Sequence, residues 1–248
     1  RQAIHLMEEL AKERPSDFNN RYDFVNAHTW LPTPSLEAAE KKYRHALALF
    51  EKLAVEFPEH GARVHERVAA CESALAPVLQ RAGKLQEAAK YYRAGIAAWE
   101  SRIAEYKERT EDRDRFRLSL CYRGLSETQL SLGEHREAVK TAEKLTSPEL
   151  HQWQDYGFAA LLLGRCMVLA CRDTQLSPAE RKTLLDACAG EAKRLIDEAG
   201  QQAEATPETR DLREALRLGP DDPQGQYHLG NMVLKLGAWA DAEAWYRQ

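Results

Sequence analysis

The sequence predicts an all-α chain, a solenoid of antiparallel helix pairs, on three observations. Small residues recur in pairs, Ala76 with Ala88, Ser126 with Ala138 and Gly230 with Ala242, and a glycine (Gly83, Gly133, Gly237) lies between the members of each pair. Two antiparallel helices approach closely only where the facing positions lack bulk, and a left-handed glycine ends the first helix so that the second can turn back. A leucine precedes each first small residue (Leu75, Leu125, Leu229), and an aromatic follows the second by one turn, Tyr92 after Ala88 and Tyr246 after Ala242, as Tyr43 follows Ala39. That spacing puts small and large side chains on one face. No stretch alternates apolar and polar residues with the Val, Ile and Thr enrichment of a strand. A hairpin repeated along a chain buries each unit on its neighbours, and such stacks serve binding more than chemistry.

The first helix, over 1–13, carries Ala3-Ile4-His5-Leu6-Met7-Glu8-Glu9-Leu10-Ala11 followed by Pro15. The pattern returns 43 residues later as Ala46-Leu47-Ala48-Leu49-Phe50-Glu51-Lys52-Leu53-Ala54 with Pro58, so the first helix reads as the tail of a repeat. A helix over 17–30 ends early, because Trp30-Leu31-Pro32-Thr33-Pro34 stands where its last turns would be, shortening that hairpin by about two turns. Helices over 35–56, 61–82 and 85–109 follow, and Pro77 is expected to kink the middle one. Two more occupy 112–132 and 134–145. After Gly164 the sequence offers Leu169 where an alanine is expected, so one helix runs over 148–172 and pairs with another over 178–203. The last three lie over 207–218, 222–236 and 238–248.

Several starts share a device, a small polar residue before proline: Thr33-Pro34, Ser147-Pro148, Ser177-Pro178, Thr206-Pro207 and Asp222-Pro223. The first residue caps free amides and the proline takes a position that needs no donor. Ser177 with Glu180 completes a capping box.

The last copy, Leu218-Gly219-Pro220-Asp221-Asp222-Pro223 leading to Tyr227-His228-Leu229-Gly230, then Leu236-Gly237, Ala242 and Tyr246, resembles the tetratricopeptide repeat in order and in its period of about 34 residues. Earlier copies are longer, 49 residues from Tyr43 to Tyr92 and 50 from Gly83 to Gly133. That long-helix variety, with the stretch from Tyr156 through Leu176-Ser177-Pro178-Ala179-Glu180-Arg181 to Gly200, is similar to the repeat regions carried beside bacterial serine/threonine protein kinases.

The resemblance implies one right-handed superhelix over 1–248, with repeats over 1–30 (partial), 31–60, 61–109, 112–147, 148–203 and 207–248, and a chain cut within helices at both ends. It also implies a non-catalytic scaffold within a larger bacterial signalling protein, holding a protein or peptide on the concave face of the first helices. The positions it points to are Arg123 and Glu127, Gln154 and Phe158, and Tyr227, Asn231 and Lys235. Their mixture of charge, amide and aromatic character suits an extended peptide. Of the family's carboxylate clamp Asn231 and Lys235 are present, but Tyr227 stands where its first lysine would be.

Bulk properties narrow the function classes. The 248 residues carry 35 Lys and Arg against 39 Asp and Glu, a formal charge of -4. Basic residues alternate with acids, as in Glu105-Tyr106-Lys107-Glu108-Arg109, whereas a nucleic-acid groove needs uncompensated cations. The most apolar stretch, Phe158 to Cys171, is interrupted by Arg165 and falls short of the roughly 20 residues of a membrane span. Five cysteines within helical patterns read as reduced thiols of the cytoplasm, and no signal peptide is visible.

No cofactor or metal is expected. Kinase loops are absent, Ser16-Asp17-Phe18-Asn19 lacking their context, and Gly124-Leu125-Ser126-Glu127-Thr128 lacks the second glycine of a nucleophile elbow. His65-Glu66-Arg67-Val68-Ala69 has Ala69 where a zinc helix needs its second histidine. Cys166 and Cys171 project about 140° apart on a helix, too far round to share an ion. The carboxylate pairs Asp221-Asp222, Glu8-Glu9 and Glu111-Asp112 serve capping and solubility. Two alternatives are a helical hydrolase or metal protein using His65, His60 or Cys166, and a spacer with no groove ligand. Trp245 and Tyr246, left uncovered at a terminal repeat, would favour self-association.

Overall fold

The computed structural model describes residues 2–105, 112–147, 150, 153–199, 207–219 and 222–235. Among them every regular element is helical: α1 (Gln2–Glu13), α2 (Phe18–Thr29), α3 (Leu36–Glu56), α4 (Gly61–Arg81), α5 (Leu85–Glu105), α6 (Asp112–Ser131), α7 (His135–Lys144), α8 (Trp153–Arg172), α9 (Pro178–Ala199), α10 (Pro207–Leu218) and α11 (Pro223–Lys235). Consecutive helices pack against each other. The chain divides into two compact units, Arg1–Gly124 and Leu125–Gln248, and the division falls inside α6.

In the first unit, Asp17 caps α2 by accepting from the Asn20 amide at 3.2 Å. Ser35 caps α3, accepting from Ala38 at 3.1 Å; the cap is this serine, one residue past the expected Thr33-Pro34 pair. The core joins Phe18, Tyr22 and Val25 of α2 to Leu47, Phe50 and Leu53 of α3 and to Val64 of α4. A single 3-10 turn, Pro58–His60, connects α3 to α4, and its His60 ring stacks on Phe18 at 3.9 Å. Helix α4 continues through Pro77. The proline deprives the Ser73 carbonyl of its amide donor, and the Ser73 hydroxyl bonds the Ala69 carbonyl at 2.7 Å.

Gly83 closes α4 as its position predicts. Its φ is 75°, its amide donates to the Gln80 carbonyl at 3.0 Å, and the Lys84 amide reaches the Leu79 carbonyl at 2.9 Å, the paired bonds of a Schellman end. Helix α5 then lies against α4, with Tyr92 Oη donating to Gln80 Oε1 at 2.8 Å and Trp99 Nε1 to Ser73 Oγ at 2.8 Å. Two further glycines permit close approach. A Cβ on Gly95 would sit 2.9 Å from Ser73 Oγ, and one on Gly124 would sit 2.2 Å from the Tyr92 ring.

In the second unit Gly133 repeats the device of Gly83, with φ 76° and the Glu134 amide on the Gln129 carbonyl at 2.9 Å. Of the helix predicted over 148–172, the described part is α8, Trp153–Arg172, and α8 packs on α9 as expected. The capping box is present: Ser177 N donates to Glu180 Oε2 at 3.1 Å and Glu180 N to Ser177 Oγ at 3.3 Å. Asp222 caps α11 through the Gln224 amide at 2.8 Å. Gly164 admits Met232 and Leu212, whose atoms would lie 2.8 and 2.9 Å from an added Cβ.

The paired small residues Ala76, Ala88, Ser126 and Ala138 are fully buried, and Gly230 is buried with them. Gly237, Ala242, Tyr246 and the helix expected over 238–248 lie outside the described residues. So do Thr206 and Pro148, two members of the expected start signals.

Side chains on alternate helices, or at the residue leading into one as at Lys84, meet at a recurring separation along the chain. In the first unit Asn19 meets Arg63 (44 residues apart), Tyr22 meets Arg67 (45), Glu40 meets Lys84 (44), Arg44 meets Glu87 (43), Glu66 meets Arg113 (47) and Ser73 meets Cys121 (48). In the second, Arg136 meets Glu180 (44).

Candidate binding cleft

The positions expected to face a partner occupy three helices. Arg123 and Glu127 lie one turn apart on α6, both half-buried. Phe158 is half-buried on α8, and the Gln154 side chain lies outside the described residues. Tyr227, Asn231 and Lys235 share one face of α11. Tyr227 is 57% exposed, whereas the Lys235 amine is bonded by Asp211, which also faces His228 Nδ1 at 3.4 Å. The charge of Lys235 is therefore already compensated.

Of the residues singled out for the enzyme alternative, His60 and His65 belong to the first unit and Cys166 to the second. His65 is exposed, His60 stacks on Phe18, and the buried Cys166 thiol donates weakly to the His135 carbonyl at 4.0 Å. Among the described residues no three His, Cys, Asp or Glu side chains gather as a metal site, and no helix is long and apolar enough to cross a membrane.

The first unit contains a cleft that the sequence reading did not place. It arises where α2 stops short. Lys42 Nζ donates to the carbonyls of Thr29 at 2.9 Å and Leu31 at 2.8 Å, satisfying the acceptors left at the helix end. Beyond that end no further turn of α2 covers α4, and a cavity of about 170 Å³ opens. It is lined by Thr29 and Trp30 at the end of α2, by Tyr43 of α3, by Ala70, Cys71 and Ala74 of α4, and by the cations Arg67 of α4 and Arg117 of α6. Trp30 is 76% exposed.

The cleft is cationic for a countable reason. Glu66 is shared by Arg67 at 3.5 Å, Arg102 at 3.3 Å and Arg113 at 3.4 Å, while Asp114 serves Arg102 at 2.8 Å and Arg113 at 3.9 Å. Arg117 stands beside them with its guanidinium 4.9 Å from the Trp99 ring centre and its Nη1 buried without a hydrogen-bond partner. Two carboxylates thus face four guanidinium groups. Burial, reinforced by Arg113, pushes the Arg117 pKa down. Burial also raises Tyr43 and drives the Cys71 thiol up to about 12, so both line the cleft as neutral groups.

The signal in the sequence was the Trp-Leu-Pro-Thr-Pro break, which foretold a missing stretch of helix. What it could not show is which cations α4 and α6 turn toward the gap. No family model matches the chain, and none of the curated proteins matches it.

Proposed function

We propose that this chain is a solenoid of antiparallel helix pairs of the tetratricopeptide kind, acting as a non-catalytic scaffold for a protein or extended peptide in the cytoplasm. The observation that carries the reading is the recurring separation of 43 to 48 residues between side chains that meet on alternate helices. A stack of two-helix repeats about that long produces such a spacing, because each helix touches its counterpart one repeat on. The order of contacts within neighbours supports the same reading: Gln80 meets Tyr92 and Ser73 meets Trp99, the order expected of a helix that turns back along the one before it. Attachment to a bacterial signalling kinase belongs to the same proposal through the likeness of the longer repeats.

The test is selection from a displayed library of unstructured peptides. Selected peptides are expected to bind, and Tyr227→Ala together with Arg123→Glu to weaken them by about tenfold, roughly 1.4 kcal/mol, with the melting temperature of Tyr227→Ala unchanged. A library that yields no binder would make the chain a spacer. Binders indifferent to both substitutions would remove the assigned face.

A further inference from the structure

We propose that the cleft at the end of α2 is a binding site for a carboxylate carried on an apolar or aromatic body. The assignment rests on the reading of the chain as a binding module and names the chemistry one of its units takes.

Arg117 is the anchor. A guanidinium is charged at any ordinary pH and offers five donors in a planar fork. Here one terminal nitrogen is buried with no acceptor, and among the described residues the group makes no ion pair. A cation desolvated in this way gains most from an incoming acceptor, since an unsatisfied buried donor is costly. Arg67, which also lines the cleft, has Nε satisfied by Tyr22 Oη at 3.0 Å and a terminal nitrogen only loosely held, 3.5 Å from Glu66. Tyr22 thus holds Arg67 more closely than Glu66 does, and Arg117 rests on the Trp99 ring.

The rest of the cleft selects the body of the ligand. Trp30 offers an exposed indole, while Ala70, Ala74 and the Tyr43 ring supply apolar surface. The volume, about 170 Å³, admits one acidic side chain or a small organic acid. Apolar walls disfavour a strongly hydrated dianion, whose desolvation costs more than that of a monoanion, so a carboxylate fits better than a phosphate. The Thr29 hydroxyl is committed to the Asn26 carbonyl at 2.7 Å and does not contribute a donor.

The experiment titrates the full chain with phenylacetate, phenylacetamide, inorganic phosphate, and the blocked peptides acetyl-Ala-Leu-Glu-Leu-Ala-amide and its Gln counterpart, following backbone amide shifts by NMR. Phenylacetate is expected to move the amides of residues 67–74 and of Trp30. Phenylacetamide is expected to leave them in place, and phosphate to bind more weakly. Arg117→Met should weaken phenylacetate at least tenfold and Trp30→Ala severalfold. Because Trp30 is exposed, that variant keeps the test alive should Arg117→Met fail to fold.

Equal binding of phenylacetamide, tighter binding of phosphate, or indifference to both substitutions overturns the site. If phenylacetate binds through Arg117 but neither peptide does, the cleft stands and the peptide reading of the scaffold falls. If the Glu peptide binds without needing Arg117 or Trp30, the scaffold stands and the cleft assignment falls. Binding of the Glu peptide but not the Gln peptide, lost in Arg117→Met, supports both.

Discussion

Gly124 and Glu72 show how single residues set local stability by opposite means. At Gly124 the Tyr92 ring occupies the space a Cβ would need, and that ring is buried and tethered to Gln80. Alanine gains up to about 1 kcal/mol of helix propensity, but overpacking costs about 1–3 kcal/mol. Gly124→Ala is therefore expected to lower the urea midpoint, and to lose that penalty once Tyr92 is also made alanine. Glu72 is a carboxyl pushed up to about 7 by burial and then by Glu51. The folded chain holds its proton more tightly than the unfolded chain, where the value is about 4.5, so stability falls as pH rises between these two values and the loss is complete above about 7. Glu72→Gln should be more stable than the parent at pH 8 by on the order of 1 kcal/mol, a figure discounted for partial exposure. At pH 4 the two should have equal urea midpoints; an equal gain at both pH values would refute the charge argument. Neither effect was legible beforehand. Gly124 reads as an unremarkable helix glycine and Glu72 as one more surface acid until the neighbouring helices are in place.

At the scale of elements, the turn glycines separate conformational cost from packing. Nothing lies within 4 Å of a Cβ built on Gly83 or Gly133, yet both have φ near 75°. Gly83→Ala and Gly133→Ala should each cost about 1–2 kcal/mol, with asparagine at the same positions costing less. Equal losses for alanine and asparagine in thermal melts would point to something other than backbone strain. Helix positions were largely legible, because caps, proline and period act locally: the stretch expected over 61–82 is Gly61–Arg81, and the Ser177 box forms as its spacing requires. What local rules miss are devices made between elements. The Ser73 hydroxyl is one, accepting from Trp99 of α5 at 2.8 Å and approached by the Cys121 thiol of α6 at 3.3 Å. The cleft beside α2 is another. Its opening follows from two prolines, but its charge follows from Arg117, 83 positions beyond Pro34.

For the whole molecule, the division at Gly124 and Leu125 is not a linker. Both residues are buried within α6, with Cys121, Tyr122 and Ser126 beside them. Limited trypsin digestion should therefore spare the bond after Arg123, and mass spectrometry should find no pair of half-length fragments. Early release of a fragment ending at Arg123 would mean that α6 opens readily there. The recurring contacts between alternate helices were foreshadowed by the 43-residue self-match of the first and third helices, whereas the partner-facing positions remained a matter of likeness, since nothing local in a side chain says which side of a stack it will occupy. The placement of Arg117 over the fully buried Trp99 ring has an optical consequence. Indole emission responds to a nearby charge, so an anion arriving at that guanidinium should alter the colour or yield of Trp99 light, giving the protein an intrinsic lamp that reports occupancy without any attached dye.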